Sequence, residues 1–367
     1  MPHLGLPLEL VSEVLQESIL DKRDLRNVAL VSKAFLVLAR PHLFHTVSIE
    51  TAYCVDESDP ARSYHWRTRR KLAFFRSRPD LARLVRHVSR DDCEDYFRPG
   101  DRAYPVIEPN ALWDQILETF PQVESVYDHF SPTPSPHRVP ECTKTIQSVA
   151  DVWINKSSWE WLSRCAKLRS LRCSFGSDEP IALPAPLPFQ LDEIRLETLY
   201  GSPKPFLDLV DRSSATLRSL DLCGRLAIMT DFSHLPHLEK LTLSVCGGQG
   251  KADPAREQSL VRASLPSLTR LRHLVIRQHF SWKRKGGVFE IIAHPDVVRL
   301  LPKTLVRIDA MDTPTVAQCK ALFGAGTSVR VLGTQDWFFS AEEMADTAES
   351  REWCQVRGIR CAAGPVI

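Results

Sequence analysis

Two stretches of the sequence carry residue types that could do chemistry: a glycine-rich segment that ends in lysine, and a pair of histidines. The segment Gly247-Gly248-Gln249-Gly250-Lys251 is similar to a phosphate-binding loop, which cradles phosphate groups on its backbone N–H groups. Such a loop needs glycine five residues before its Gly-Lys pair and a hydroxyl residue after it. Val245 and Ala252 occupy those positions, so the segment is interpreted as a turn.

The histidines are three residues apart and could share a metal ion. However, Pro236 lies between His234 and His237 and disfavours a helix there, and no nearby carboxylate or cysteine completes a ligand set. The nucleophile elbow of hydrolases, the zinc-protease motif and the dinucleotide-binding glycine motif are absent from the sequence. We therefore predict no catalytic residue, no metal site and no cofactor.

Length and charge limit the possible classes of protein. A chain of 367 residues with 43% hydrophobic and 25% charged residues is expected to form two or three globular domains or one repeat array. The 47 basic and 45 acidic residues give a formal net charge of +2, so no global field favours nucleic acid or a membrane surface. No stretch is long and apolar enough to span a membrane, and the N-terminus lacks the basic leader of a secretory signal.

The cysteines indicate a reducing compartment. Ten are spread over the chain and no two form a C-x-x-C pair, which is unlike a disulfide scaffold or a paired zinc module. Cys173, Cys223 and Cys319 lie among apolar residues, where a reduced cysteine packs as a small hydrophobe. We expect the protein in the cytoplasm, the nucleus or both.

The first fifty residues predict three short helices. Pro7 suits a first helical turn, Asp24 is predicted to cap the second helix, and Ser32 the third. Pro41 should end the third helix, and residues 46–49 should close the block as a short extended piece. The apolar residues at near-helical spacing in the first helix are Leu10, Val14, Leu15 and Leu20.

A basic segment follows, from Arg62 to Arg90. It contains ten Arg or Lys and one acid, Asp80, and an acidic run over residues 91–95 comes directly after it. One interpretation is a solvated helix face around an apolar stripe of Leu72, Phe75 and Leu81. The other is a docking patch for an acidic partner.

A repeat with the pattern L-x-x-L-x-L then determines the predicted architecture. Most intervals between repeats lie in the range of leucine-rich repeats, and each repeat predicts a short strand of a stacked parallel sheet. The regular Asn of the standard repeat is missing. The clear frames begin at Leu168, Leu191, Leu217, Leu238, Leu271, Leu305 and Val329, and weaker frames begin at Val85, Val123 and Ile146.

The residues between the leucines should line the concave face of the sheet, because side chains alternate across a strand. Acids and bases both occur there, which suits a protein target read by complementary charge. At the end of the chain, Ser340 and Glu343 predict a capping box for a helix through Val356, with Gly358 as its stop and a last strand at 359–361. The charged candidates for target binding are Arg172, Arg195, Asp221, Lys240, His273, Arg277 and Arg307.

The N-terminal block resembles an F-box, and the whole layout resembles F-box proteins of fungi with irregular leucine-rich repeats. A Leu-Pro-x-Glu-Leu start is followed at the right distance by Val31-Ser32-Lys33-x-Phe35; many members have Cys and Trp in place of Ser32 and Phe35. The matching residues, which the resemblance implies either contact the adaptor or hold the helices together, are Leu6, Pro7, Glu9, Leu10, Val14, Leu25, Val28, Leu30, Val31, Ser32 and Phe35.

The helical block, the basic segment and the repeats together predict an α/β protein. It has a three-helix F-box over 4–49, a basic helical linker or cap over 50–84, and an irregular leucine-rich-repeat-like α/β solenoid over 85–367 that binds the target and ends in a capping helix. The resemblance implies a non-catalytic substrate receptor that binds a Skp-type adaptor, through it a cullin, and an unknown protein target. Two other functions stay open at this point. One is a repeat scaffold without a ligase role, and the other is nucleic-acid binding through Arg62 to Arg90.

Overall fold

The computed structural model describes residues 7–17, 21–51, 64–92, 109–128, 141–154, 156–175, 187–199, 203–223, 231–245, 264–278, 293–310, 315–324, 327–334 and 341–363. The chain divides into two compact units, Met1–Ser170 and Leu171–Ile367. No helix among the described residues is long and apolar enough to cross a membrane.

The first unit begins with three helices: α1 (Leu8–Glu17), α2 (Lys22–Val31) and α3 (Lys33–His45). The N-cap of α2 is Asp21, whose carboxylate accepts from the backbone N–H of Asp24 at 2.8 Å, so the prediction that Asp24 caps this helix is wrong. Ser32 caps α3 as predicted, because its hydroxyl accepts from the N–H of Phe35 at 3.2 Å.

The prediction that Pro41 ends α3 is also wrong. The helix continues through Pro41 to His45. Proline removes one helical hydrogen bond, to the carbonyl of Val37, and both Val37 and Pro41 are exposed. That carbonyl therefore lies on the solvent side of the helix, where water can take the place of the missing N–H.

The first unit continues with four parallel strands that pair in chain order. The strands are β1 (Thr46–Thr51), β2 (His87–Asp92), β3 (Ser125–Asp128) and β4 (Ser148–Ile154). The other elements are α4 (Tyr64–Ser77), α5 (Pro79–Ala82), α6 (Pro109–Thr119), a 3₁₀ turn (Glu141–Lys144) and α7 (Lys156–Leu162). Residues 46–49, predicted to close the helical block, are thus part of the sheet, and α4 and α5 connect two of its paired strands.

The second unit has the same construction. Its strands are β5 (Ser170–Phe175), β6 (Glu193–Leu199), β7 (Ser219–Cys223), β8 (Lys240–Val245), β9 (His273–Gln278), β10 (Arg307–Ala310), β11 (Val331–Thr334) and β12 (Arg360–Ala363). They follow one another in chain order, and each pair of neighbours from β6 to β12 is parallel. Its helices are α8 (Lys204–Ser213), α9 (Pro295–Val298), α10 (Val316–Gly324) and α11 (Ala341–Val356), with a 3₁₀ turn at Leu265–Ser267.

The repeat frames predicted from the sequence are confirmed, including the three weaker ones. In every frame the first residue has no exposed surface and a strand begins two residues later. Each strand then places its next apolar residue beside that of its neighbour, as in the buried row Ile194, Leu220, Leu241, Leu274, Ile308 and Leu332. Stacking in this way buries an apolar edge that no single repeat could bury alone.

The turn before each strand has a hydrogen-bond pattern of its own. The N–H groups of Arg218 and Ser219 both donate to the carbonyl of Asp192, at 2.8 and 3.0 Å, and the same arrangement recurs in the following repeats. In three repeats a threonine hydroxyl adds a bond to the first carbonyl of the preceding frame: Thr145 to Val123, Thr216 to Leu191 and Thr304 to Leu271. These bonds connect successive repeats without the Asn of the standard motif.

The predicted C-terminal helix is confirmed as α11, although Ser340 lies outside the described residues. Gly358 has a φ of 70°, a conformation that favours glycine. The N–H of Ile359 donates to the carbonyl of Cys354, and the N–H of Gly358 donates to that of Gln355. This is the Schellman arrangement of a helix end, and it leads the chain directly into β12.

Candidate interaction surfaces

The N-terminal helices have a small core of their own. Val11, Leu15 and Leu25 are buried, and the half-buried side chains packed against them are Val28, Phe35, Leu38 and Leu43. On α1 the inward residues Val11 and Leu15 are one turn apart. Leu10 and Val14, each one position earlier, are also one turn apart and are exposed. Helix α1 therefore presents an apolar edge to solvent beside its buried stripe.

Exposed apolar side chains are concentrated in this block. Five of the eight large hydrophobic residues that are exposed among the described residues lie between positions 10 and 37. They are Leu10 at 46%, Val14 at 60%, Leu30 at 84%, Val31 at 68% and Val37 at 66% of their full exposure. Single exposed hydrophobes are ordinary, but a concentration of them on one small block is typical of an interaction surface.

The structure separates the residues that the F-box resemblance selected. Leu25, Val28 and Phe35 belong to the internal packing, and Ser32 is a helix cap. Leu10, Val14, Leu30, Val31 and Pro7 are exposed. Leu6 lies outside the described residues, and Glu9 is described only as part of α1. Val37 is exposed but was not predicted from the sequence, where its only signal was its place in the apolar run of α3.

A second candidate surface is the open face of the sheet in the second unit, formed by the strand residues that alternate with the buried apolar row. Four residues of this face, Thr242, Val275, Asp309 and Gly333, are themselves buried. The register aligns these residues across the strands in two rows. The first row contains Glu193, Ser219, Lys240, His273, Arg307, Val331 and Arg360. The second contains Arg195, Asp221, Thr242, Val275, Asp309, Gly333 and Ala362.

Charged side chains on β5 to β7 form one cluster on this face. Oε1 of Glu197 lies 2.5 Å from Nε of Arg172 and 2.6 Å from Nε of Arg195, and Arg195 Nε is 3.4 Å from Oδ2 of Asp221. The contacts at Glu197 Oε1 are charge pairs without a directed N–H···O bond. Glu197 thus joins two of the predicted residues, Arg172 and Arg195, and Arg195 in turn contacts Asp221. Glu197 itself was not among the predicted target-binding residues.

A second cluster surrounds Asp309 on β10. Its carboxylate has no exposed surface, lies 2.7 Å from Nε2 of His273, and accepts from Nε of Arg307 at 2.7 and 3.0 Å. Burial by itself raises the pKa of the Asp309 carboxyl, but the hydrogen bonds and charges of His273 and Arg307 outweigh it, so the pKa lies below its usual value. Asp309 therefore acts as a buried anchor for two predicted residues.

The remaining predicted residues of this face are less connected. Lys240 is half-buried beside His273 in the first row, and its ammonium has no ion-pair partner among the described residues. The side chain of Arg277 lies outside the described part of the chain. The clusters around Glu197 and Asp309 leave a face of mixed charge, which can pair with a complementary protein surface.

The basic segment is largely engaged within the first unit. The predicted apolar stripe is confirmed, since Leu72, Phe75 and Leu81 are buried. Several of its basic side chains have partners. Lys71 donates to the carbonyl of Ser48, Arg76 to Thr119 and Gln115, Arg78 to Asp80, and Arg86 to Gln122 with a charge contact to Glu124.

The segments that suggested chemistry in the sequence do not assemble into a site within the described residues. His234 is exposed and lies 2.9 Å from Oδ1 of Asp211, and His237 is half-buried in the adjacent turn. Residues 247–251 lie outside the described residues. In the described ranges, no group of three or more His, Cys, Asp or Glu side chains is arranged to hold a metal ion.

No protein-family model matches the chain, and no curated protein matches it. Among solved structures, the chain is similar to the leucine-rich-repeat-containing protein LegL7 from Legionella pneumophila, with 10% identity and a TM-score of 0.40. That similarity covers 83% of this chain and 87% of the other. The leucine-rich-repeat-like fold rests on the repeat frames and the parallel sheet described above.

Proposed function

We propose that the protein is a substrate-recognition adaptor of a Skp–cullin–F-box ubiquitin ligase. In this proposal the N-terminal helices dock on a Skp-type adaptor and the open face of the second unit binds a protein target. The observation that carries it is the concentration of exposed apolar side chains on a three-helix block. The parallel repeat sheet supports the general role of an interaction scaffold.

The docking half of the proposal follows from the two sets of apolar residues on the helices. The set around Val11, Leu15 and Leu25 holds the block together, so the exposed set on α1, α2 and α3 is available to a partner. An apolar groove on the adaptor would remove these side chains from water, at roughly 25 cal/mol for each Å² of apolar surface buried. Leu10, Val14, Leu30 and Val31 occupy matching positions of the F-box resemblance, which supports a Skp-type adaptor as that partner.

The target half of the proposal follows from the charges on the open face. Three charged side chains of the second cluster are held in place by hydrogen bonds within the protein, so little side-chain entropy would be lost when a target binds. Lys240 lies beside His273, and its ammonium adds a positive charge that has no ion-pair partner among the described residues. Complementary charge across such a face contributes more to the specificity and the rate of association than to the affinity of the complex.

Docking is tested by co-purifying the full chain with a fungal Skp adaptor. We expect stoichiometric capture by the unchanged chain and its loss in a Leu30→Asp, Val31→Asp double variant. Both side chains are exposed, so the substitutions should leave the fold intact. The matched control is Val356→Asp on α11, an exposed apolar residue in the other unit at 77% exposure, which should keep full capture.

Circular dichroism of all three proteins shows whether they are equally folded. If the unchanged, folded chain captures no adaptor, the adaptor proposal is wrong and the chain is a repeat scaffold with another partner. If the double variant is folded and still binds, the exposed apolar residues do not form the docking surface.

Nucleic-acid binding through Arg62 to Arg90 is the competing function. The internal contacts of Lys71, Arg76, Arg78 and Arg86 disfavour it. Binding through phosphate contacts should weaken steeply with salt. Retention on a duplex DNA column at low salt, lost at high salt and lost in an Arg69→Glu, Arg70→Glu variant, would support this function over the proposed one.

A further inference from the structure

Three cysteines meet where the last helices of the second unit pack on its final strand. Cys319 is on α10, Cys354 on α11 and Cys361 on β12. The sulfur of Cys354 lies 4.0 Å from that of Cys319 and donates to it. Cys361 is close enough to Cys354 for the two thiols to affect each other's pKa.

We propose that Cys319 and Cys354 form a modification site for hydroperoxides, where oxidation joins the two sulfurs in a disulfide and ties α10 to α11. This inference does not depend on the adaptor role. Both thiols are fully or almost fully buried, so each is held against the other by the surrounding packing. The helices are packed again one turn along α10, where Phe323 and Trp353 have ring centroids 6.0 Å apart.

The geometry requires only a small movement. A disulfide has sulfurs about 2.05 Å apart, so the pair must approach by roughly 2 Å, which side-chain rotation and a slight helix shift can supply. The two cysteines are 35 residues apart in the chain. A bond between them would close a long loop and restrict the unfolded chain more than the folded one.

The chemistry balances with hydrogen peroxide as the oxidant. The Cys319 thiolate attacks one peroxide oxygen, breaks the O–O bond and becomes a sulfenic acid, while hydroxide leaves and takes up a proton as water. The Cys354 sulfur then attacks the sulfenic sulfur and releases a second water. Two thiols have lost two electrons and two protons in total, and one peroxide has been reduced to two waters.

The choice of Cys319 as the attacking sulfur follows from its surroundings. The hydrogen bond from Cys354 lowers the pKa of the Cys319 thiol, although burial opposes this. Burial raises the pKa of Cys361 to about 11, so this thiol is a poor nucleophile even though it is only half-buried. The hydrogen bond to Cys319 and burial also raise the pKa of the Cys354 thiol, so Cys354 is the sulfur that attacks second. The 4.0 Å distance between the sulfurs of Cys354 and Cys319 makes these two the proposed pair.

The test uses the reduced full chain, treated with increasing hydrogen peroxide and then denatured in excess alkylating agent. Peptide mass analysis should find a linked pair of peptides that contains Cys319 and Cys354, lacks two hydrogens and separates with a reductant. Cys142 and Cys165 in the first unit are equally buried and serve as internal controls. Burial raises the pKa of both thiols, so they should remain reduced at the same peroxide level and then be found alkylated.

The proposal is overturned if Cys319 and Cys354 stay thiols to the same extent as the controls, or if Cys354 is linked to Cys361 instead. The mapping needs no variant, so it stays valid if a substitution in the cluster prevents folding. A Cys354→Ala variant that does fold should lose the linked peptides and the rise in thermal midpoint that oxidation gives the unchanged chain. A Cys165→Ala variant should retain both.

Discussion

Asp309 and Gly333 face each other on neighbouring strands, and the buried carboxylate of Asp309 occupies the space in which a side chain at Gly333 would lie. The two residues are register partners on β10 and β11. A Cβ atom built on Gly333 would be 2.0 Å from Oδ1 of Asp309, far closer than atoms can approach. The Asp309 carboxylate is also held by His273 and Arg307, so it cannot turn away freely.

We therefore predict that Gly333→Ala lowers the free energy of unfolding by about 1–3 kcal/mol, the range for overpacking a filled site. Urea denaturation measures the change. The control is Gly324→Ala at the end of α10, where a Cβ meets nothing within 4 Å, and this substitution should be neutral or stabilising. In an Asp309→Ala background the cost of Gly333→Ala should fall. An equal cost in both backgrounds would contradict the steric explanation.

Asp309 also predicts a dependence of stability on pH. The pKa of its carboxyl is lower in the folded protein than the ordinary value of 3.8, so the unfolded state binds the proton more readily. The resulting stabilisation is present above that value and is lost as the pH falls through the lower folded pKa. Urea denaturation across this acid range should show a shallower loss for Asp309→Asn than for the unchanged chain. Equal slopes would contradict the prediction.

The first unit should lose stability in a different pH range. Burial lowers the pKa of the His87 imidazole below its usual 6.5, the charge of His45 acts in the same direction, and Glu124 opposes both. The rings of His45 and His87 are 4.5 Å apart. Because the folded pKa is lowered, the stabilisation is complete above 6.5 and is lost as the pH falls toward the folded pKa.

The variant His45→Gln tests this relationship. His45 is exposed, so the substitution should leave the fold intact while it removes the neighbouring charge. An NMR titration should then show the pKa of His87 moving up toward its ordinary value, and the pH dependence of unfolding should become weaker. An unchanged titration of His87 would mean that the His45 charge has no influence on it.

The threonine hydroxyls between repeats should contribute to stability. Thr216→Val keeps the shape of the side chain but removes the 2.7 Å bond to the carbonyl of Leu191, so we expect a loss of about 1–2 kcal/mol in the free energy of unfolding. Thr269→Val is the matched control, because this exposed hydroxyl makes no hydrogen bond within the described residues. A loss of equal size in both variants would assign the effect to threonine itself and not to the bond.

The repeats could be predicted from local sequence, because each of them carries the same short pattern of apolar residues. A buried aliphatic residue two positions before each strand from β2 to β11, such as Val85 or Leu305, is a local requirement, and its spacing is visible without knowledge of the fold. Helix ends were predicted less well. Asp21 and Asp24 are both chemically suitable caps, and only the backbone conformation at Asp21 decides between them.

The class of the fold, the alternation along its strands and the apolar excess of the N-terminal block were therefore determined by the sequence alone, since these features depend on residue types at short, regular spacing. Which apolar residues of that block are exposed was decided by the tertiary structure, as was the assembly of the sites. Glu197 and Arg172, Asp309 and His273, and Cys354 and Cys319 come from separate repeats. Register and helix packing bring these residues together, and both depend on contacts between segments far apart in the chain.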